Sequence, residues 1–197
     1  MKTGAIVLGY HGCDRSVAEG LLSGANPFKP SRNAHDWLGH GIYFWENNPS
    51  RAMEWATFMA SHPAFSDRVK EPSLVGAVID LGNCLDLTES DSLEETRTAY
   101  EYLHRSFQSN DLDLPRNQPS HNTDEDLTRR YLDCAVINHV HFLNNENNLD
   151  PYSTVRGVFV EGEPLYPGAA IRQRTHIQIC VCDPSNIRGV FRFEGSY

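Results

Sequence analysis

The chain has 197 residues, 40% of them hydrophobic, which fits one folded domain with its own core and predicts a single unit over residues 1–197. Its net charge of −9 argues against a partner that is bound through clustered Lys and Arg. Five scattered cysteines without a C-x-x-C pair argue against a disulfide framework or a metal site. No apolar run reaches the length of about 18 residues that a membrane span needs. We therefore expect a cytoplasmic protein.

The first third of the chain alternates strands with helices. Residues 4–9 form a short apolar run that predicts a strand, and residues 16–23 carry apolar side chains at helical spacing. Two prolines and several small polar residues indicate an irregular covering loop over residues 25–36. The run GIYF at 41–44 predicts a second strand, Pro49 suits the first turn of a helix, and residues 74–81 predict a third strand.

The rest of the chain divides into a helical middle and a β-rich end. Helical spacing covers residues 90–107 and 124–143, joined by a polar connection over 108–123. Strand patterns follow at 154–162, 175–183 and 187–193, separated by Pro and Gly turns. This order predicts an α+β domain whose cleft is bounded by separate stretches of chain.

The negative charge is confined to the middle of the chain. Residues 80–126 contain twelve Asp or Glu against three Arg, which equals the whole net charge of −9, and fourteen acidic and fourteen basic residues remain elsewhere. The two β-rich parts are therefore neutral. We interpret residues 84–148 as a helical insert between them and call this segment the acidic insert.

Three short motifs follow one another along the chain, YHG at 10–12, GHGIYF at 39–44 and QICVCD at 178–183. Each alone is ordinary, and a His at a strand end is more often structural than catalytic. In this order they resemble the poly(ADP-ribose) polymerase-like branch of the ADP-ribosyltransferases, the H-Y-E type. A helix bearing an A-x-x-aromatic run after the second motif, here Ala52 to Trp55, belongs to the same resemblance.

The resemblance covers roughly residues 5–60 and 155–195, and it implies a fold and a substrate. The family fold has two packed, mainly antiparallel β-sheets that form a cleft for NAD⁺, with helices around them. NAD⁺ is a substrate there, and no metal takes part. The resemblance further implies transfer of ADP-ribose to a macromolecular acceptor with release of nicotinamide, as in stand-alone toxins or defence effectors, for which a neutralising antitoxin partner is expected.

The resemblance also implies roles for individual residues. His11 would hydrogen-bond a ribose hydroxyl of NAD⁺, and the backbone of Gly12 would pair with the nicotinamide amide. Tyr43 would stack on the nicotinamide ring, and Trp55 would form a second wall or else pack in the core. Ser31 and Arg32 in the covering loop are candidates for the pyrophosphate. We expect His11, Tyr43 and Gln178 to line one pocket.

Gln178 departs from the family pattern, which has Glu at this position. An amide keeps a hydrogen bond to the ribose but cannot supply negative charge to the oxocarbenium-like transition state. We therefore expect a single ADP-ribose per site, without chain elongation. Glu161 and Glu163 precede the third motif and are candidates for a substitute carboxylate, with a solvated turn as the alternative.

Three alternative functions and two acceptor classes stay open from the sequence, and one of the three is an interaction protein in which the acidic insert is the working part. Gln178 also suits an inactive fold that binds NAD⁺ or ADP-ribose, and an NAD⁺ glycohydrolase would use water as the acceptor. RNA and protein are equally good acceptor classes, because the β-rich parts are neutral. Five arginines near the third motif would suit a phosphate backbone, or would pair with the acidic insert, namely Arg129, Arg130, Arg156, Arg172 and Arg174.

Overall fold

The computed structural model describes residues 4–63, 66–119 and 126–195. Within these residues the α-helices are α1 (Arg15–Leu22), α2 (Pro49–Ser61), α3 (Ser90–Ser109) and α4 (Tyr131–Glu146). The strands are β1 (Ile6–Asp14), β2 (Ile42–Glu46), β3 (Pro72–Asp80), β4 (Cys84–Asp86), β5 (Thr154–Phe159), β6 (His176–Val181) and β7 (Ile187–Phe191). The predicted α+β class is thereby confirmed. No helix among the described residues is both long enough and apolar enough to cross a bilayer.

All seven strands belong to one mixed sheet in the order β4-β5-β6-β2-β1-β3-β7, in which only β4 and β5 pair in parallel. The expectation of two separate packed sheets is therefore wrong. The two halves are joined because β2 pairs with β6 on one side and with β1 on the other. The joint is narrow, since β1 and β2 pair only at Gly9 with Glu46 and at Tyr10 with Trp45.

Helices cover both faces of the sheet. On one face, Ala52 of α2 packs with Tyr10 and Trp45, and α3 and α4 cover the other half of that face through Ala99 and Ile137. On the opposite face, α1 packs against β1 and β3. We call the face under α2, α3 and α4 the first face and the face under α1 the second face.

Local signals in the sequence explain where two helices begin. The Asp14 carboxylate accepts a hydrogen bond from the Ser16 N–H at 2.9 Å at the start of α1, and it also accepts from the N–H groups of Lys70 and Glu71, which together lower its pKa. Asn48 caps α2 by accepting from the N–H of Arg51 at 3.0 Å.

Three boundaries differ from the sequence-based prediction. Strand β1 runs to Asp14, so His11 and Gly12 lie within the strand and not after it, because β3 pairs with it over its whole length. The acidic insert is not wholly helical, since it begins with β4 at the edge of the sheet. Helix α4 begins at Tyr131, because residues 126–130 are held by a bridge between Gln118 and Arg129, while residues 124 and 125 lie outside the described residues.

Candidate functional site

The three motifs lie on neighbouring strands. β6, β2 and β1 are adjacent in the sheet although the third motif follows the second by more than a hundred residues. Tyr43 is paired with Cys180, and Trp45 is paired with Gln178. Because side chains of paired residues point to the same face, Tyr43 and Gln178 both lie on the first face.

His11 lies on the second face, where its ring contacts Phe44 and Phe28 with centroids 5.7 and 5.5 Å away. The side chains of the three motif residues therefore do not share one face, because His11 alternates with Tyr10 along β1. The expectation that His11, Tyr43 and Gln178 line one pocket is wrong. Its connection to the second motif is a hydrogen bond between Nδ1 and the carbonyl oxygen of Tyr43, at 2.9 Å. This bond bridges β1 and β2 just beyond their last paired residues.

The hydrogen bond of His11 fixes the chemistry of its ring. A carbonyl oxygen can only accept, so Nδ1 carries the proton and Nε2 is left as an acceptor. Burial lowers the pKa of His11, and the bond to the Tyr43 carbonyl opposes this only in part. The imidazole is therefore neutral at pH 7, as an acceptor for a hydroxyl group must be.

The backbone of β1 beside His11 is open on one side. Beyond Tyr10 the strand pairs with β3 alone, so the backbone groups of β1 that point towards β2 have no strand partner there. Gly12 lies in this stretch. A Cβ at Gly12 would clash with the carbonyl oxygen of Ala52, so the close packing of α2 by itself requires glycine at this position.

Tyr43 is held by its hydroxyl group. The hydroxyl donates to the carbonyl oxygen of Gly39 at 2.8 Å and accepts from the N–H of Leu38 at 2.9 Å. Gly39 has a φ of +78°, which glycine adopts without strain. Burial raises the pKa of Tyr43, so the phenol stays protonated and acts as a fixed ring rather than as a base.

Gln178 is oriented by Trp37. The indole Nε1–H donates to Oε1 of Gln178 at 2.7 Å. Because the indole can only donate, the amide oxygen must face Trp37, and the amide NH₂ group is left to donate elsewhere. Trp37 in turn contacts Phe159 and lies under the guanidinium of Arg130, which is 4.5 Å from the Phe159 ring.

The covering loop and α2 contribute the other predicted contacts. Ser31 forms a two-way backbone bridge with Gly41, so the loop is tied to the start of β2, and the side chain of Arg32 is exposed. Trp55 is 44% exposed, which rules out core packing as its role. Its ring contacts Trp45 at 6.1 Å and stacks on Phe58. Trp45 and Phe58, and not Tyr43, are thus the aromatic neighbours of Trp55 among the described residues.

The two candidate carboxylates differ in their surroundings. The side chain of Glu161 is 15% exposed and lies 3.5 Å from Arg174 and 3.9 Å from Arg51. Glu163 is exposed, and its backbone carbonyl accepts from the N–H of Gln173. Glu161 is therefore the carboxylate that the fold holds in a fixed position.

No protein-family model matches the chain, and no curated protein or solved structure is significantly similar to it.

Sequence reasoning missed a set of buried polar atoms on the first face and on α2. Trp45 Nε1, Arg51 Nε and His176 Nε2 are buried and have no hydrogen-bond partner. His176 is two residues from Gln178 on the same face of β6, and its ring centroid lies 6.4 Å from that of Trp45. Trp45 could have indicated this set, because it pairs with Gln178 across the two strands. Until the register of those strands is known, however, Trp45 looks like an ordinary core aromatic residue.

His176 is neutral for the same reason as His11. Its Nδ1 donates to the carbonyl of Arg174 at 2.7 Å, so Nε2 is an acceptor. Burial lowers the pKa of His176 to about 4. Two buried donors, Trp45 Nε1 and Arg51 Nε, and one buried acceptor, His176 Nε2, thus have no partner, and the same is true of Arg130 Nε and His139 Nε2 in the described part of the acidic insert.

The described residues contain no set of side chains that could bind a metal ion. No group of three or more His, Cys, Asp or Glu side chains is arranged there to hold a metal ion. What the site offers is hydrogen bonds from neutral rings and an amide, aromatic surfaces, and one enclosed carboxylate. These groups suit the binding and orientation of a polar, partly aromatic substrate.

Proposed function

We propose that the protein is a mono-ADP-ribosyltransferase that uses NAD⁺ as its substrate. The observation that carries the proposal is the adjacency of β6, β2 and β1, together with the bond from His11 to the Tyr43 carbonyl. This bond leaves Nε2 of a neutral His11 as an acceptor for a ribose hydroxyl. The open backbone edge of β1 at Gly12 supports recognition of a carboxamide, which needs one donor and one acceptor.

In the proposed reaction the bond between nicotinamide and C1′ of its ribose breaks, and the electron pair leaves with nicotinamide. A nucleophile of the acceptor then bonds to C1′ and loses its proton. The transition state carries positive charge on the ribose, which a carboxylate would stabilise. Glu161 is the candidate for that charge, while the amide of Gln178 contributes a hydrogen bond.

The absence of a carboxylate at position 178 supports transfer of one ADP-ribose per site. Elongation needs a base that activates a ribose hydroxyl of the first ADP-ribose, and an amide cannot accept that proton. We therefore expect one modified species on a gel. A ladder of polymer would contradict this part of the proposal.

The acceptor class is RNA or protein. Of the five arginines that were expected to suit a phosphate backbone, three are paired with carboxylates of the protein. Arg156 is held by Glu46 and Asp86 in a mostly buried network, so it is committed to the fold. Arg130 pairs with Asp133, and Arg174 pairs with Glu161. Arg129 and Arg172 form no ion pair among the described residues and remain as the arginines of this set that could meet a phosphate.

The test is incubation of the full chain with NAD⁺ labelled in the adenosine part, in a cell lysate, with nicotinamide release measured in parallel. We expect nicotinamide release together with label on a macromolecule. Nuclease treatment that frees the label identifies RNA, and protease treatment identifies protein. Nicotinamide release with all label remaining free would assign the protein as a glycohydrolase instead.

A second candidate, an inactive module that binds NAD⁺ or ADP-ribose, is favoured by one observation. The bond from Trp37 engages the only acceptor atom of Gln178 and leaves donors facing the site. A Gln178→Glu variant separates the two functions, because a carboxylate can accept the same bond from Trp37 while adding negative charge. We expect it to speed nicotinamide release by about tenfold or more. A variant and a parent chain that both leave bound NAD⁺ intact would establish the binding module.

A further inference from the structure

A cavity of about 300 Å³ lies between α3, α4 and the turns that precede β4 and β5. Its walls are largely apolar and include Ala99, Val140, Leu143 and Leu149. None of its lining residues belongs to the three motifs. The cavity is therefore a separate feature of the acidic insert and its borders.

Two carboxylates, Glu95 and Asp150, line this cavity. Among the described residues no Lys, Arg or His side chain lines it. One oxygen of Glu95 accepts a hydrogen bond from the hydroxyl of Tyr152 at 2.5 Å, which leaves the other oxygen to a ligand. Burial and the nearby Glu95 raise the pKa of Tyr152, so this phenol remains a donor that orients the carboxylate.

This combination defines the chemistry of a ligand. Apolar walls suit a chain of methylene groups, and a carboxylate held at one point suits a cationic head. Lys and Arg side chains have this form, and the volume admits one such side chain. A phosphate or another anion is disfavoured, since both charges in the cavity are negative.

The surroundings of the cavity identify the source of that side chain. Residues 80–126 carry the entire net charge of −9, and the cavity is lined by Glu95, Thr98 and Ala99 from this stretch. Exposed apolar side chains also occur on α3, where Leu93 is 52% and Tyr102 54% exposed. A basic protein segment matches both the charge and the apolar surface.

We propose that the acidic insert docks a basic segment of a protein partner, with one Lys or Arg side chain inserted in the cavity beside Glu95. The proposal concerns residues outside the proposed catalytic site. It holds or fails independently of whether the chain cleaves NAD⁺.

Two neighbouring glutamates on α3 provide a matched test. Glu94 and Glu95 allow the same substitution with the same change in net charge, but only Glu95 lines the cavity, whereas Glu94 pairs with Arg97 in solvent. The probe is a fluorescein-labelled ten-residue peptide of alternating Arg and Ala, and its affinity for the full chain is measured by anisotropy. We expect Glu95→Gln to weaken binding at least fivefold and Glu94→Gln to weaken it less than twofold. Equal effects of the two variants would overturn the proposal.

An uncharged variant and a competitor complete the test. Thr98 lines the cavity and is exposed, so Thr98→Phe is expected to block the cavity and to weaken peptide binding at least fivefold without a change in charge. Spermidine at matched positive charge and ionic strength is expected not to displace the peptide. Efficient displacement would assign the cavity to small polyamines and would overturn docking of a protein segment. Unchanged melting temperatures and circular dichroism spectra confirm that the variants are folded.

Discussion

The joint between β1, β2 and β6 and the exposed surface of α3 differ in how their polar groups are paired, although the acidic insert also has two buried atoms without a partner, Arg130 Nε and His139 Nε2. At the joint, buried atoms of Trp45, Arg51 and His176 have no partner, which costs free energy in the isolated chain. On α3, by contrast, exposed ion pairs such as Arg97 with Glu94 contribute little to stability. A polar ligand that paired with these buried atoms would offset that cost, whereas the exposed charges of α3 act through their net sign.

The largest effect is expected for His11→Ala. Loss of the Nε2 acceptor removes a positioned hydrogen bond to the substrate, and we expect nicotinamide release to fall by about 100-fold to 1000-fold. His104→Ala, on α3, is the matched control and should leave the rate unchanged. Thermal unfolding checks the interpretation, because a large drop in melting temperature of His11→Ala would assign this residue to the core and not to substrate binding.

The next effect is on stability and tests whether His176 is buried in its neutral form. The pKa of about 4 in the folded chain lies below the unfolded value of about 6.5, so the unfolded chain binds the proton first as the pH falls. The contribution of His176 is therefore fully present above pH 6.5 and is lost as the pH falls towards 4. We expect His176 to contribute about 3 kcal/mol to the decrease in the free energy of unfolding between pH 7 and pH 4, as the difference between the parent chain and a variant without this group in urea denaturation.

His176→Gln is the control for this pH dependence. It removes the titrating group while keeping a neutral polar side chain, so its unfolding free energy should fall less steeply over the same pH range. Identical slopes in the variant and the parent chain would show that other groups cause the loss.

A smaller effect is expected from the two candidate carboxylates, compared directly. We expect Glu161→Gln to lower the rate of nicotinamide release by about 10-fold to 30-fold, because it removes an enclosed negative charge between Arg51 and Arg174. Glu163→Gln should change the rate less than about threefold, since Glu163 is exposed. The reverse order would move the substitute charge to Glu163.

The smallest effect on the rate of nicotinamide release is expected for a substitution of Trp37, whose hydrogen bond orients the side chain of Gln178. Trp37→Phe keeps a ring but loses one hydrogen bond, worth about 1 kcal/mol, so we expect about a fivefold lower rate. A double-mutant cycle with Gln178→Leu provides the check, because Trp37→Phe should have little further effect in a chain that already lacks the Gln178 amide. Full additivity would mean that the two residues act separately.

Much of the fold could be predicted from local patterns, although the extent of individual elements could not. The apolar run at 4–9 predicts a strand, yet β1 continues to Asp14 because β3 supplies a partner along its whole length. The strand β4 has only three residues and exists because it pairs with β5, so no periodicity in the sequence could indicate it.

The sequence by itself determined the α+β class, the confinement of negative charge to one segment, and the three motifs that raise the hypothesis of ADP-ribosyl transfer. Only the tertiary structure decided that a single sheet joins the two β-rich parts, that His11 meets Tyr43 through a carbonyl group, and that Trp37 orients Gln178. The reason is that strand pairing and side-chain hydrogen bonds link residues far apart in the chain. Local spacing determines which face a residue occupies within its own element, and the pairing of strands determines what it meets there.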